Sequence, residues 1–138
     1  MKGLSAVYNP FRRMTSGYYG GLEGIMHLQM RGDDLYPTRG EEPYIWEYLS
    51  FVNTTNTKDL SWGNIYEGIQ MANEFIYRAA TVDMDETKRE QMIGEAYFLR
   101  GFWYFRLRTD YRDAVIRTLP QDADPETHGL SSGDEVLE

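Results

Sequence analysis

The amino-acid sequence predicts an all-α chain that is built as a layered array of helices. Two segments, residues 60–80 and 85–111, repeat apolar residues at spacings of three and four, which is typical of a helix with one face in a core. The second segment is apolar on most sides between residues 96 and 107, so we expect neighbours to cover it on both sides. Hydrophobic residues make up 41% of the chain and aromatic residues 14%, which is enough for a packed core.

The first of these helices, over residues 60–80, starts beside residues that can cap it. Asp59 and Ser61 both carry a side-chain oxygen that can accept a hydrogen bond from the first turn. The apolar stripe of this helix consists of Trp62, Ile65, Ile69, Ala72 and Ile76.

The second helix, over residues 85–111, follows a different capping signal. Asp83, with Glu86 three residues later, has the pattern of a capping box. One apolar stripe consists of Met92, Ala96, Leu99 and Trp103, and a second consists of Ile93, Tyr97, Tyr104 and Leu107. Because only residues 81–84 separate the two helices, we expect the helices to pack antiparallel.

The chain before these helices is predicted to be less regular. Residues 3–14 and 18–30 have the pattern of two shorter helices, the second of which is weakened by three glycines. Residues 31–58 are rich in Pro, Gly, Asn and Thr and are predicted to form a long irregular loop, in which residues 44–51 could form a short strand. A connection of this length inside a compact domain is usually functional or mobile.

The last residues of the chain carry a helix start. Ser132 and Glu135 have the spacing of a capping box, and apolar residues follow at once. We therefore expect the helix to continue in a longer protein of which these 138 residues are a part.

Two strings of residues resemble the paired helices of the SusD/RagB family. The string from Trp62 to Ile76 is similar to the family pattern W-x3-Y-x2-I-x2-A-N-x2-I. The string from Gly94 to Phe105 is similar to the pattern G-E-A-x-F-L-R-A-x-x-Y-F, and the two strings occur in the family's order and spacing. The chain departs from the family at Gly101, where Ala is usual, and at Arg112, where the turn commonly has Gly.

The resemblance implies a fold and a function. The fold is a scaffold of tetratricopeptide-like antiparallel helix pairs, and residues 1–138 are expected to be the N-terminal part of one such domain, truncated at the C-terminus. The function is that of a non-catalytic glycan-binding component of an outer-membrane uptake complex for polysaccharides. Its partners would be an oligo- or polysaccharide and a SusC-like, TonB-dependent transporter. Such a protein lies at the cell surface through a lipid anchor on a cysteine, and this chain has no cysteine.

The long loop over residues 31–58 supplies the candidate glycan-binding residues. Sugars present apolar C–H faces to aromatic rings, and their hydroxyls need forked donors and acceptors. Trp46 and Tyr48 share one side if this stretch is extended. The polar candidates nearby in sequence are Asp34, Arg39 and Asn53. The alternative is that both rings only pack the loop onto the helices.

Charge and composition argue against several other functions. The net charge is −8, whereas nucleic-acid binding needs clustered Lys and Arg. The absence of cysteine removes thiol catalysis and cysteine-bound zinc. His27 and His128 have no companion at ligand spacing, so we expect no metal site. The sequence contains no run of about 18 apolar residues, which is the length that a membrane-spanning helix needs.

Acidic residues are the remaining catalytic or metal-binding candidates. Asp33 and Asp34 could be the two carboxylates of a glycosidase, which lie about 5–9.5 Å apart across a cleft. Neighbouring carboxylates rarely aim at one bond, so pairing with Arg31 or with a helix end is favoured. The alternating acids of residues 122–126 could hold Ca²⁺, but they lack the EF-hand pattern and favour a solvated turn. We therefore expect neither enzyme activity nor a cofactor.

Polar residues inside the apolar stripes are predicted to have structural roles. Arg100, with Glu90 and Glu95 nearby, is expected to pair with a carboxylate or with carbonyls of a neighbouring helix, and Asn73 belongs to the same class. If all binding were to protein, the chain would be a helical-repeat scaffold with no glycan site of its own. The environment of Trp46 separates these two hypotheses, because a glycan site exposes the ring on a concave face and a scaffold buries it.

Overall fold

The computed structural model of the chain describes residues 3–14 and 62–137, with the side chains of residues 3–11 and 62–137. The described helices are α1 (Asn9–Met14), α2 (Trp62–Ala79) and α3 (Glu86–Tyr111), with 3-10 turns at Leu4–Ala6 and Glu135–Leu137. The described ranges contain no β-strand, only one antiparallel bridge between Ala114 and Ser131, so the all-α prediction is confirmed. Neither α2 nor α3 is apolar enough along its length to cross a bilayer.

The chain divides into two compact units, residues 1–10 with 62–138, and residues 11–61. The helix pair belongs to the first unit. In the second unit, the described part is the end of α1. The helix predicted over residues 18–30 and the loop predicted over residues 31–58 lie outside the described residues.

Helices α2 and α3 form an antiparallel pair, as their short connection predicts. The rings of Trp62 and Tyr111 lie 4.9 Å apart at one end of the pair. Further along, Asn73 of α2 lies 2.8 Å from Arg100 of α3. The contacts therefore pair rising residue numbers on α2 with falling numbers on α3.

The core lies between the two helices and is narrowest where Gly68 faces Trp103. Trp103 is 1% exposed, and a Cβ atom at residue 68 would lie 2.4 Å from its indole ring. Glycine is therefore required there for close approach of the helices. The other buried apolar side chains of the pair are Ile65, Ile69, Ala72, Phe75, Ala79, Ala96, Leu99, Tyr104 and Leu107.

The ends of the helices differ slightly from the predicted ones. The N-cap of α3 is Asp85, whose carboxylate accepts a hydrogen bond from the Lys88 amide at 2.9 Å, so the prediction of Asp83 was wrong. The connection after α2 is closed by Arg89, which donates to the carbonyls of Val82 and Met84. These contacts satisfy main-chain carbonyls of the connection itself. Asp59 and Ser61 lie outside the described residues.

The helix predicted over residues 3–14 is divided in two. A 3-10 turn at Leu4–Ala6 is followed by α1 (Asn9–Met14). Pro10 explains the break, because it has no amide to donate to residue 6 and its ring would clash with that carbonyl. As the second residue of α1, it stands in the first turn, where its missing amide costs nothing.

After α3 the chain folds back along the helix pair. Arg112 turns the chain with φ 70° and ψ −67°, and the Asp113 amide donates to the Tyr111 carbonyl at 2.9 Å, which closes a γ-turn. Residues 114–120, here called the strap, then run along both helices. A loop over residues 121–130 leads back to Ser131, which bridges to Ala114.

The predicted capping contact at the end of the chain is formed. The Ser132 amide donates to the Glu135 carboxylate at 2.7 Å, and the Ser132 hydroxyl donates to the same oxygen at 2.9 Å. These bonds hold the pKa of Glu135 below its usual range. Gly133 is buried beside them, where a Cβ atom would lie 2.8 Å from the Arg112 carbonyl oxygen.

Replacing Gly68 by Ala is expected to destabilise the chain. The added methyl meets the rigid indole of Trp103, and overpacking of this kind costs about 1–3 kcal/mol. Ala also favours the helix by about 1 kcal/mol, which Gly101→Ala would show alone because its Cβ meets nothing within 4 Å. In urea unfolding followed by circular dichroism, Gly68→Ala should have a lower free energy of unfolding than the parent chain and Gly101→Ala a higher one. A stabilised Gly68→Ala chain would contradict the packing.

Replacing Arg112 by Gly is expected to raise the free energy of unfolding by about 1 kcal/mol. A non-glycine residue at positive φ carries a strain of about 1–3 kcal/mol, and the greater freedom of Gly in the unfolded chain offsets part of the gain. Arg112→Ala keeps the Cβ atom and serves as the control, so it should leave stability nearly unchanged. Equal effects of the two substitutions, measured by urea unfolding, would exclude relief of strain as the cause.

Candidate functional site

The sequence-predicted glycan site cannot be located among the described residues. All five of its members fall in the segment between α1 and α2, namely Asp34, Arg39, Trp46, Tyr48 and Asn53. Asp33 and His27 lie in the same segment. Their roles remain predictions.

In the described part of the chain, polar contacts are concentrated around the strap. An extended segment without a neighbouring strand leaves its amides and carbonyls unpaired, which is costly where they are buried. In the strap, residues 115, 117, 118 and 119 all turn main-chain groups toward the helices. Side chains of α2 and α3 take the place of the missing strand.

Two tyrosines bind the strap in the same way. The Val115 amide donates to the Tyr66 hydroxyl at 2.7 Å, and that hydroxyl donates back to the Val115 carbonyl at 2.9 Å. Tyr104 repeats the arrangement with Arg117, at 2.6 Å and 2.8 Å. Each phenol therefore supplies one acceptor and one donor, as a residue of a neighbouring strand would. Burial raises the pKa of Tyr66 to about 12 and also raises the pKa of Tyr104.

Asn73 and Arg100 bind the next carbonyls of the strap. The Asn73 amide nitrogen donates to the carbonyls of Arg117 and Leu119 at 3.0 and 3.2 Å. Its oxygen accepts from Arg100 at 2.8 Å, and the same guanidinium nitrogen lies 3.0 Å from the Thr118 carbonyl. Asn73 is 1% exposed, so these bonds keep a buried amide fully paired.

These contacts refine the structural role predicted for Arg100. Its partners are the side-chain amide of Asn73 on the neighbouring helix and a carbonyl of the strap, whereas a carboxylate or the carbonyls of a neighbouring helix were expected. Glu95 instead accepts a hydrogen bond from the Tyr8 hydroxyl of the N-terminal segment. The guanidinium also lies 4.8 Å from the centre of the Tyr97 ring, where a cation–π contact is favourable.

The four residues that bind the strap all belong to the two strings on which the family resemblance rests. Tyr66 and Asn73 come from the first string, and Arg100 and Tyr104 from the second. The sequence marks Asn73 and Arg100 as polar groups inside apolar stripes, and such groups need partners. Tyr104, by contrast, belongs to a predicted apolar stripe, and Tyr66 is marked only as part of the first string. The sequence does not identify the partners, which lie 44 to 49 residues from α2 along the chain.

In the acidic loop over residues 121–130, the carboxylates of Asp122 and Asp124 contact basic side chains. Asp122 lies 2.9 Å from Arg78 of α2, and Asp124 lies 2.7 Å from His128. Arg117 reaches the same loop and donates to the Glu126 carbonyl at 3.2 Å. Among the described residues, no group of three acidic or histidine side chains is placed to hold a metal ion. Residues 121–123 form a turn.

The outer face of α3, defined here as Tyr97, Phe98, Gly101 and Phe105, exposes large apolar side chains. Phe98 is 73% exposed, Phe105 56% and Tyr97 49%. Nothing lies within 4 Å of a Cβ atom built at Gly101, which leaves an open space between the rings. The second apolar stripe predicted for this helix is therefore divided, with Tyr104 and Leu107 buried and Tyr97 half-exposed.

Open grooves flank the helix pair. One, of about 370 Å³, follows the outer face of α3 and is bordered by Tyr97, Arg100, Phe105 and Val136. Its rings and guanidinium suit an apolar partner with polar edges. Another, of about 620 Å³, lies between the N-terminal segment and α2. Its polar border is the ion pair of Glu74 and Arg78, whose charges neutralise each other.

Comparison with known proteins identifies similar sequences and structures. A family model for SusD-like proteins, described as starch-binding and associating with the outer membrane, matches residues 31–133. A solved laminarin-binding SusD-like protein is 26% identical, with a TM-score of 0.77 over 97% of this chain. A SusD superfamily protein from Bacteroides vulgatus is 23% identical, with a TM-score of 0.76 over the same share, and has the same fold.

The similarity concerns a fraction of these structures. The 138 residues cover 30% of each of the two solved chains. No curated protein sequence gives a significant match.

The raised pKa of Tyr66 predicts a loss of stability at alkaline pH. Because the folded chain holds this phenol proton more tightly than the unfolded chain, stability is full below pH 10 and falls as the pH rises toward about 12. Tyr66→Phe should lose less stability in that window, because it has no phenol proton to release. Urea unfolding at pH 9 and pH 11 measures the difference. Tyr77→Phe, which removes an exposed phenol from α2, is the control and should behave as the parent chain does.

Proposed function

The chain belongs to the family of SusD-like proteins, and from that membership we propose that it is part of a glycan-binding protein that acts without catalysis. The observation that carries the proposal is the family match over residues 31–133. That range includes both the helix pair and the aromatic segment around Trp46. The family description, starch-binding and associating with the outer membrane, supports a polysaccharide as the ligand and the outer membrane as the location.

The solved laminarin-binding protein supports the same ligand class. Laminarin and starch are both glucans, and both present flat C–H faces with equatorial hydroxyls. Such ligands need an aromatic ring beside forked polar groups. The segment with Trp46, Tyr48, Asp34, Arg39 and Asn53 supplies that composition. We therefore propose that these residues contact the glycan.

The helix pair has a supporting role in this proposal. Its polar motif residues are engaged with the strap, and they are accordingly not offered as ligand contacts. Helices α2 and α3 provide a fixed base, and binding is assigned to the segment that precedes Trp62. The proposal extends to residues 1–138 as the N-terminal part of a longer SusD-like domain, because the chain covers 30% of the matched structures.

The biological role follows from the same assignment. We propose that the protein is held at the cell surface by a lipid anchor outside this chain and passes glycan to a SusC-like, TonB-dependent transporter. The net charge of −8 suits neither nucleic acid nor an anionic membrane surface as the ligand.

One observation favours a second candidate function, that of a scaffold that binds only protein. The outer face of α3 exposes three aromatic rings in one patch, and exposed apolar patches of this kind usually contact protein. In this hypothesis the same helices serve for docking, and Trp46 packs the preceding segment without contacting a ligand.

Affinity electrophoresis distinguishes the two functions. The intact protein would be run through native gels that contain laminarin, starch or an unrelated polysaccharide, with Trp46→Ala alongside and Phe98→Ala as the matched aromatic control. We expect retardation by one glucan, its loss in Trp46→Ala, and its retention in Phe98→Ala, since Phe98 lies outside the proposed site. A loss of about 1.4 kcal/mol of binding free energy on removal of the ring corresponds to a tenfold loss of affinity.

The other outcomes are equally informative. Retardation that Trp46→Ala leaves unchanged would keep the glycan function and reject the assignment of the site. Absence of retardation in every gel, for protein shown to be folded by circular dichroism, would favour the protein-binding scaffold.

A further inference from the structure

Residues 114–131 form a closed lobe, here called the flap, which consists of the strap, the acidic loop and Ser131. Its two stems meet at the bridge of Ala114 and Ser131, where each amide donates to the other residue's carbonyl at 3.1 and 2.8 Å. Just outside the bridge, the Gly133 amide donates to the Asp113 carboxylate at 3.0 Å. The flap therefore joins the rest of the chain at a single narrow base.

The base of the flap contains the strained turn. Arg112 has φ 70°, a conformation that side chains other than glycine rarely adopt. Gly133, on the opposite stem, packs directly against the Arg112 carbonyl. Strain at a hinge is released when the hinge moves, so the closed position of the flap depends on contacts made elsewhere.

Those contacts are mainly hydrogen bonds between helix side chains and the main chain of the strap. Complete apolar burial occurs only at the two ends of the strap, at Ala114 and Pro120, whereas Val115 and Ile116 are partly buried. Between them, Thr118 is exposed and Leu119 is 41% exposed. A segment held by few buried apolar groups and many polar contacts opens more easily than a helix core.

Most of the buried core of the helix pair lies between α2 and α3. Trp103 packs against Gly68, and the buried stripes of α2 and α3 face each other. We infer that the flap opens as one unit about Arg112 and Gly133, and that α2 and α3 stay folded when it does. Opening uncovers the polar row of Tyr66, Asn73, Arg100 and Tyr104. This inference is independent of which ligand the protein binds.

Hydrogen exchange at single amides tests the opening directly. In the full chain, the Val115 and Arg117 amides should exchange at similar free energies of opening, below those of the amides inside α2 and α3. Low concentrations of urea should change the exchange of the two strap amides little, because opening the flap exposes little surface.

Amide exchange at one strap residue, measured after the partner of another strap residue is removed, shows whether the flap moves as a unit. Tyr66→Phe removes the partner of Val115 and leaves the partner of Arg117 in place. If the flap opens as one body, the Arg117 amide should exchange about 5- to 30-fold faster in this variant, and the helix amides should not change. Tyr104→Phe, read at Val115, gives the reciprocal measurement. Tyr77→Phe is the matched control and should leave both strap amides unchanged.

Three results would overturn the inference. Strap amides that exchange only together with the helix amides would make the flap an inseparable part of the core. Faster exchange at Val115 alone in Tyr66→Phe would mean that residues fray one at a time. Equal acceleration of the strap and the helix amides in both Phe variants would mean that the phenols stabilise the whole fold.

Discussion

The described structure depends on one constraint, which is that an extended segment with no neighbouring strand must still pair its main chain. The strap meets this constraint with side chains from two helices, and each tyrosine hydroxyl supplies both a donor and an acceptor. This requirement explains why Asn73 is buried in an apolar stripe, where an unpaired amide would be costly. It also fixes where the acidic loop begins, because Pro120 ends the strap in a buried position.

The helix packing and the strap contacts are linked through geometry. Gly68 lets α2 approach the indole of Trp103 closely, and that approach brings Asn73 within 2.8 Å of Arg100. The two then act on consecutive carbonyls of one segment. A wider separation of the helices would break this polar network before it emptied the core, since hydrogen bonds weaken steeply with distance. The apolar and polar parts of the motif strings thus support a single arrangement.

The sequence predicted helices α2 and α3 well, but it did not predict which residues of the strap their polar side chains bind. The apolar period predicted α2 and α3 to within two residues at each end, because periodicity reports which face is buried. It placed the cap of α3 at Asp83 when Asp85 makes the contact, since both residues fit a capping signal. The strap contacts join positions 44 to 49 residues apart on α2 and 13 to 18 residues apart on α3, and no local pattern encodes such pairing. The proposed glycan contacts around Trp46 stay predictions, because composition indicates sugar binding without fixing geometry.

The way in which the helices hold the strap has an evolutionary consequence. The side chains of α2 and α3 contact the carbonyls and amides of the strap, and all residue types except proline have both groups. These contacts therefore do not depend on the strap's own side chains. Substitutions in residues 115–119 should therefore accumulate freely among related chains. A single-residue insertion or deletion would move every following carbonyl away from its partner, because those partners are fixed on α2 and α3. Selection on the strap should act on its length and on its register against the helices far more than on its composition.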